Sequence, residues 1–128
     1  YIFQASLIEN IKITENLKRV EVSVIDALFK DLNFYENFPN DYINKIVSKE
    51  TLSDGQMQKI AFIRLILQNP EIIFLDEAFS NLDRESSQKI KNKIFSDATV
   101  INVTHSPEEF ENIDNQILVE NGNIFFQK

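Results

Sequence analysis

The stretch Ile72-Ile73-Phe74-Leu75-Asp76-Glu77 decides the expected fold, because four apolar residues run directly into two adjacent carboxylates. A short continuous apolar run is typical of a strand that is buried on both faces of a parallel sheet. Open α/β sheets bind their ligands at the carboxyl ends of the strands. Neighbouring side chains of a strand point to opposite faces, so one acid can hold a magnesium ion while the other faces a water molecule. The alternative interpretation is an ordinary buried strand followed by a solvated acidic turn.

Further motifs lie on both sides of this stretch. Residues 52–56 read Leu-Ser-Asp-Gly-Gln, residues 80–83 read Ser-Asn-Leu-Asp, and His105 follows a second apolar run. In this order and spacing the motifs resemble those of the ATP-binding cassette (ABC) ATPases. In that resemblance residues 72–77 look like the Walker B motif, and residues 52–56 look like the signature motif. Residues 80–83 look like the D-loop, and His105 looks like the switch histidine.

The resemblance implies a role for each candidate site residue. Asp76 would hold Mg²⁺, through water, and Glu77 would polarise the water that attacks the γ-phosphate of ATP. His105, the only histidine, would contact the γ-phosphate. A helix N-terminus is a natural phosphate site, and the one that follows Leu52 would close over ATP held by the opposite subunit of a dimer, with Asp83 on the same seam. The residues of this helix N-terminus are Ser53, Asp54, Gly55 and Gln56.

Asp54 departs from the family pattern, which usually has glycine at this position. A carboxylate suits a helix N-terminus but repels a triphosphate. The hypothesis is that Asp54 makes the composite site slow or weak. It would be contradicted if Asp54→Gly gave no gain in ATPase rate.

The beginning of the chain is similar to the segment that follows the Q-loop of exporter-type cassettes. Gln4 lies too close to Glu9-Asn10-Ile11 to be the Q-loop glutamine, which would precede Tyr1. A Walker A motif needs a glycine-rich turn that ends in Gly-Lys-Ser or Gly-Lys-Thr, and neither Gly55 nor Gly122 is followed by lysine. The expectation is therefore the C-terminal part of a nucleotide-binding domain, cut from a longer protein. Such a part would neither bind ATP tightly nor hydrolyse it.

The expected fold class is α/β, with part of a P-loop NTPase (RecA-like) parallel-sheet core and an α-helical subdomain. Residues 1–70 would form the helical subdomain, ending in the signature helix, and residues 71–128 would form part of the catalytic core. Periodicity and turn signals predict the individual elements. The predicted helices are 5–13, 22–32, 41–47, 53–68, 83–95 and 107–112, and the predicted strands are 72–75, 99–103, 116–119 and 124–127.

The exporter branch of the family is favoured by Ala78 directly after the two acids, where importers more often have proline. The implied partners are a second nucleotide-binding domain, in a homodimer or heterodimer, and the transmembrane domains of a transporter. The chain contains no apolar run of the roughly 20 residues needed to span a bilayer. It is expected to be soluble and to work at the cytoplasmic face of the membrane. Abundant Ile, Asn and Lys hint at a bacterial source.

The net charge of −7 and the scattered Lys and Arg argue against nucleic acid as a partner. Two alternative functions remain open. One is a non-catalytic half-domain that only dimerises or interacts with other chains. The other is an ABC-type ATPase of chromosome maintenance or repair, for which the expected long heptad repeat is missing. Exposed strand edges and apolar faces would favour self-association of the chain.

Overall fold

The computed structural model of the protein describes residues 1–127 and shows a mixed α/β architecture. Two short 3₁₀ turns, Tyr42–Asn44 and Pro107–Glu109, lie between the regular elements. None of the helices in residues 1–127 combines the length with the hydropathy that a membrane span requires. The regular elements in chain order are β1 (Ala5–Ser6), α1 (Leu7–Ile11), α2 (Glu15–Lys18), α3 (Val22–Asp31), β2 (Ile46–Val47), α4 (Asp54–Gln68), β3 (Ile72–Asp76), α5 (Arg84–Ile94), β4 (Thr99–Val103), β5 (Gln116–Glu120) and β6 (Asn123–Gln127).

Helix α4 is the centre of the helical part, meaning residues 1–70, since α1, α2 and α3 all contact it. Ile60 and Ile63 of α4 are completely buried, as is Phe29 of α3. The prediction of a largely buried signature helix is confirmed, although Ala61 faces solvent. The other apolar side chains of the helical part that are at most 1% exposed are Leu7, Ile11, Leu17, Ile25 and Leu32.

The ends of α4 follow local rules that are visible in the sequence. Ser53 and Gln56 form a capping box, in which each side chain accepts a hydrogen bond from the other residue's backbone N–H. At the other end Asn69 adopts a left-handed conformation with φ 46°, and Pro70 cannot continue the helix. The predicted start and end of this helix are both confirmed.

Strands β3 and β4 form a parallel pair in which Asp76 lies opposite Val103. Ile73 and Leu75 are buried and join the same hydrophobic cluster as side chains of α5. Phe74, on the opposite face of β3, is 75% exposed. The prediction that this strand is buried on both faces is therefore wrong for the part of the chain that the structure describes. The connection from β3 to β4 runs through α5, and a crossover helix covers only one face of a strand pair.

The predicted helix over 41–47 is also wrong. Asp41 has a positive φ of 54°, only Tyr42–Asn44 form a 3₁₀ turn, and Ile46–Val47 pair antiparallel with Ala5–Ser6. Because the backbone groups of Ile46 and Val47 are used in the strand pair, these two residues cannot continue a helix.

Two further predicted helices are shorter than expected. The helix predicted over 5–13 runs only from Leu7 to Ile11. Ser6 is its N-cap and forms a capping box with Glu9 of the first turn. The helix predicted over 107–112 is reduced to the 3₁₀ turn Pro107–Glu109.

The hairpin of β5 and β6 has the predicted position and turn. Asn121 and Gly122 have φ angles of 50° and 76°, and positive φ at both central residues is what a two-residue type I′ turn requires. Almost all hairpin side chains are exposed, including Phe126 at 83%. Within residues 1–127 the strands thus form three separate two-stranded sheets, of which only β3–β4 is parallel.

Candidate functional site

The two acids lie at the carboxyl end of β3, and their backbones differ. Asp76 is the last residue of the strand and is exposed. Glu77 has a left-handed φ of 48°, a conformation that costs a non-glycine residue about 1–3 kcal/mol and persists only where neighbouring contacts hold it. Two backbone hydrogen bonds do so: the Glu77 N–H donates to the Val103 carbonyl at 3.0 Å, and the Ser80 N–H donates to the Glu77 carbonyl at 3.3 Å.

Glu77 and His105 are brought together across the ends of β3 and β4. The Glu77 Oε1 atom lies 3.6 Å from His105 Nε2. This oxygen is shielded from solvent and has no hydrogen-bond partner among the described residues, while the His105 side chain is 96% exposed. A buried acceptor without a donor costs about 1–3 kcal/mol. The Glu77 side chain as a whole is 40% exposed, so its carboxylate is still open to water, while Oε1 itself faces the His105 imidazole.

A cavity of about 640 Å³ opens beside Glu77 on the side covered by α5. Asn102 lines it, and its Oδ1 is a second shielded oxygen without a partner among the described residues. Sequence reasoning missed Asn102, although one polar residue in the otherwise apolar run 100–103 was a visible signal. Asn102 pairs with Leu75 in the sheet register, so it lies on the same face as the buried side of β3.

Lys91 of α5 contacts both the segment after His105, at Glu109 and Phe110, and the segment after Glu77, at Phe79. Its ammonium group lies 4.2 Å from the ring centroid of Phe110 and 5.2 Å from that of Phe79, and it donates a hydrogen bond to the Glu109 carbonyl at 2.8 Å. Burial lowers the pKa of Lys91. The rings of Phe79 and Phe110 also pack edge-to-face at 5.6 Å. This contact was missed because nothing in the sequence links residues so far apart.

The N-terminus of α4 presents the other group of candidate residues. Ser53 Oγ accepts from the Gln56 N–H at 3.1 Å, and Gln56 Oε1 accepts from the Ser53 N–H at 3.0 Å. Gln56 Nε2 also donates to the Phe34 carbonyl at 3.2 Å. Asp54 is exposed in the first turn. In the part of the chain that the structure describes, no hydrogen bond joins this group to Glu77 or His105.

Gly55 lies against the loop that follows Glu77. A Cβ atom at this position would stand 2.6 Å from the Asn81 carbonyl oxygen, which is closer than real Cβ contacts come. Gly55 is therefore required for the close approach of two backbones, independently of any ligand.

Asp83 is engaged within its own chain. It is the N-cap of α5, accepting from the Ser86 N–H at 2.9 Å, and it pairs with the buried Lys59 ammonium at 2.9 Å. Burial acts to raise the pKa of the Asp83 carboxyl, but the hydrogen bonds from Ser86 and Lys59 outweigh it and lower the pKa to about 2. Its placement on a dimer seam stays a prediction.

A family model described as "ABC transporter" matches residues 1–80 of this chain. The chain therefore belongs to the ABC transporter family, and the resemblance inferred from the motifs is confirmed.

Curated relatives match over nearly the whole chain. The chain is 34% identical to "Multidrug resistance protein homolog 65" of Drosophila melanogaster, over 98% of this chain and 10% of that protein. It is 34% identical to "Putative multidrug export ATP-binding/permease protein YgaD" of Bacillus subtilis, over 97% of this chain and 22% of that protein. The chain thus spans between 10% and 22% of the length of these relatives.

A solved structure shares the fold. It is described as "Structure of a bacterial Atm1-family ABC exporter with ATP bound", and it superposes with a TM-score of 0.75 at 23% identity. The match covers 94% of this chain and 22% of that one.

Proposed function

We propose that this chain is the C-terminal part of the ATP-hydrolysing nucleotide-binding domain of an ABC exporter. The observation that carries the proposal is the Glu77–His105 pair. A shielded carboxylate oxygen that has no hydrogen-bond partner within residues 1–127 lies 3.6 Å from an exposed imidazole, at the carboxyl end of a parallel strand pair. This end of the strands is where open α/β sheets bind their ligands.

The site residues suit hydrolysis of ATP. Bound ATP and Mg²⁺ would supply the γ-phosphoryl group and the charge that neutralises its oxygens. The partly exposed Glu77 carboxylate would accept a hydrogen bond from the attacking water and then its proton. His105 Nε2 would hold the γ-phosphate oxygens. Asp76 would hold Mg²⁺ through water, and the residue fits this role because its carboxylate is a hard oxygen donor, exposed at the end of β3.

The N-terminus of α4 would act on a nucleotide bound by a second nucleotide-binding domain. The first-turn N–H groups of a helix have no acceptor within the helix, and they form the positive end of its dipole. The N–H groups of Ser53 and Gln56 are used in the capping box. The phosphates would therefore be attracted by the helix dipole and by the N–H groups of Asp54 and Gly55, while the Ser53 and Gln56 side chains would lie beside them. The exposed Asp54 carboxylate would repel them, and the D-loop with Asp83 would line the same dimer seam.

The phosphates themselves would be held by a Walker A motif outside these 128 residues. The two glycines of the chain are not followed by lysine, so this motif has no counterpart in the sequence. The chain alone would therefore neither bind ATP tightly nor hydrolyse it. In the whole transporter, β3 and β4 would belong to a larger RecA-like sheet. Residues 1–70 would form the helical subdomain and residues 71–128 part of the catalytic core. The domain would pair with transmembrane domains at the cytoplasmic face of the membrane and couple ATP hydrolysis to transport.

A Glu77→Gln variant tests this proposal in the protein that carries the chain together with its Walker A part. Loss of the general base should lower kcat for phosphate release by about 10²–10⁴-fold. Glu71→Gln is the matched control, because Glu71 is an exposed acid just ahead of the same strand and should leave kcat unchanged. Undiminished turnover in Glu77→Gln would contradict the proposal.

The second candidate function is a non-catalytic interaction half-domain. It is favoured by the open apolar face of the β3–β4 pair, where Ile72, Phe74 and Ile101 are exposed. A face of this kind is typical of a surface that pairs with another chain. The two candidates separate in the Glu77→Gln experiment, since only the first predicts a loss of turnover.

A further inference from the structure

One face of α4 contacts the loop that follows Glu77 along most of the loop's length. Four residues of this face follow the spacing i, i+3, i+4 and i+7, which places them along one side of a helix. Each contacts the segment 79–83: the backbone of Gly55 abuts Asn81, Gln58 hydrogen-bonds the loop, Lys59 pairs with Asp83, and the ring of Phe62 lies 4.9 Å from that of Phe79.

Gln58 makes the polar contacts in the middle of this face. Its Nε2 donates to Ser80 Oγ at 3.2 Å, and its Oε1 accepts from the Asn81 N–H at 3.1 Å. One side-chain amide therefore uses both of its ends on two successive residues of the loop. Asn81 thus lies between Gln58 and the Gly55 backbone, which approaches its carbonyl.

The loop in turn holds Glu77. The Ser80 N–H donates to the Glu77 carbonyl at 3.3 Å and closes the turn in which Glu77 has its left-handed φ of 48°. A residue in this conformation depends on the contacts around it. Any movement of Ser80 would therefore be passed to the backbone of Glu77 and would redirect its carboxylate.

We propose that Gln58 is a positioning residue for Glu77, acting through Ser80 and Asn81. This inference rests on the proposed function for its effect on turnover, but not for its structural part. The hydrogen bond from the Asn81 amide to Gln58 is a property of the folded chain, whether or not ATP is hydrolysed.

The structural part is tested by hydrogen exchange in the protein that carries this chain with its Walker A part. Gln58→Met keeps the side-chain length and removes both hydrogen bonds. We expect the Asn81 amide to exchange about tenfold faster, the effect of losing roughly one net hydrogen bond. Gln68→Met is the matched control, because Gln68 is an exposed glutamine at the end of the same helix. Unchanged exchange at Asn81 in Gln58→Met would overturn the proposal.

The kinetic part is tested by the steady-state ATPase parameters of the same variants. We expect Gln58→Met to lower kcat about tenfold with KM for ATP unchanged, while the unfolding temperature stays at that of Gln68→Met. Gln58→Glu should restore most of kcat, because a carboxylate can accept from both the Asn81 N–H and the Ser80 hydroxyl. Unchanged kcat in Gln58→Met would overturn the proposal, and so would a fall in kcat matched by a fall in unfolding temperature.

The two proposals can fail separately. Glu77→Gln tests the proposed function in a chain that keeps Gln58. Gln58→Met tests the positioning role with Glu77 intact.

Discussion

The helical part of this chain buries its apolar residues more completely than the strand part, meaning residues 71–127. Around α4 the apolar side chains cover one another, and Phe29, Ile60 and Ile63 are completely buried. In the strand part, β3–β4 is covered on one face only and the β5–β6 hairpin is almost entirely exposed. Since burial of apolar area is the main favourable term in folding, the helical part should carry most of the chain's own stability. The strand part presents surfaces that suit contact with other protein.

The largest expected effect tests this difference in stability. Phe29→Ala removes a completely buried ring and should lower the free energy of unfolding by about 3–5 kcal/mol, because it loses transfer energy and leaves a cavity. Phe126→Ala removes a ring that is 83% exposed and should change it by less than about 0.5 kcal/mol. Urea unfolding followed by circular dichroism measures both. Equal losses in the two variants would remove the distinction between the regions.

A smaller effect on stability is expected at the ion pair of Lys59 and Asp83, which joins the helical part to the strand part. The folded-state pKa of Asp83 is lowered from 3.8 to about 2, so its contribution to stability is present above pH 4 and is lost as the pH falls towards 2. Asp83→Asn should cost about 1 kcal/mol at neutral pH, because a carboxylate that is 48% exposed is partly screened by solvent. The difference from the unaltered chain should shrink between pH 4 and pH 2 in urea unfolding.

The control for this variant is Glu85→Gln, an exposed acid in the first turn of α5 that pairs with Lys89. It should cost less than about 0.5 kcal/mol at neutral pH. A cost in Asp83→Asn that grows on acidification would contradict the assignment, since the sign would then be reversed.

The smallest effect on stability is expected at the open face of β3. Phe74→Ser should change the free energy of unfolding by less than about 0.5 kcal/mol, because Phe74 is mostly exposed. It should raise the fraction of monomer seen by light scattering, since apolar faces of this kind favour self-association. Val22→Ser, an exposed site on the helical part, should leave that fraction unchanged. A chain that is already monomeric before the substitution would contradict the expected self-association.

Much of the local structure was predictable because it depends on neighbouring residues. The capping box of Ser53 and Gln56, the end of α4 at Asn69-Pro70 and the turn at Asn121-Gly122 are all short-range effects of side-chain oxygens, proline geometry and positive φ. The segment 41–47 was predicted wrongly because the backbone pairing of 46–47 with 5–6 is a long-range contact. Such a contact overrides a helical spacing of only a few apolar residues.

The candidate site likewise has residues that the sequence points to and contacts that only the structure shows. The order of the motifs predicts Asp76, Glu77, His105 and the signature residues as the candidates. The contacts of Gln58 and Lys91 could not be predicted, because they join segments that lie more than ten residues apart in sequence. Asp83 illustrates the difference: its place in a motif is visible in the sequence, but its ion pair with Lys59 is not.

The sequence by itself determined the family and the ends of the main helices and supplied the candidate site residues, because each depends on residue type and short spacing. Only the tertiary structure decided which face of β3 is covered, how close Glu77 comes to His105 and which helix face holds the loop after Glu77. These are decided by packing between distant segments, where the position of a side chain depends on every element it contacts.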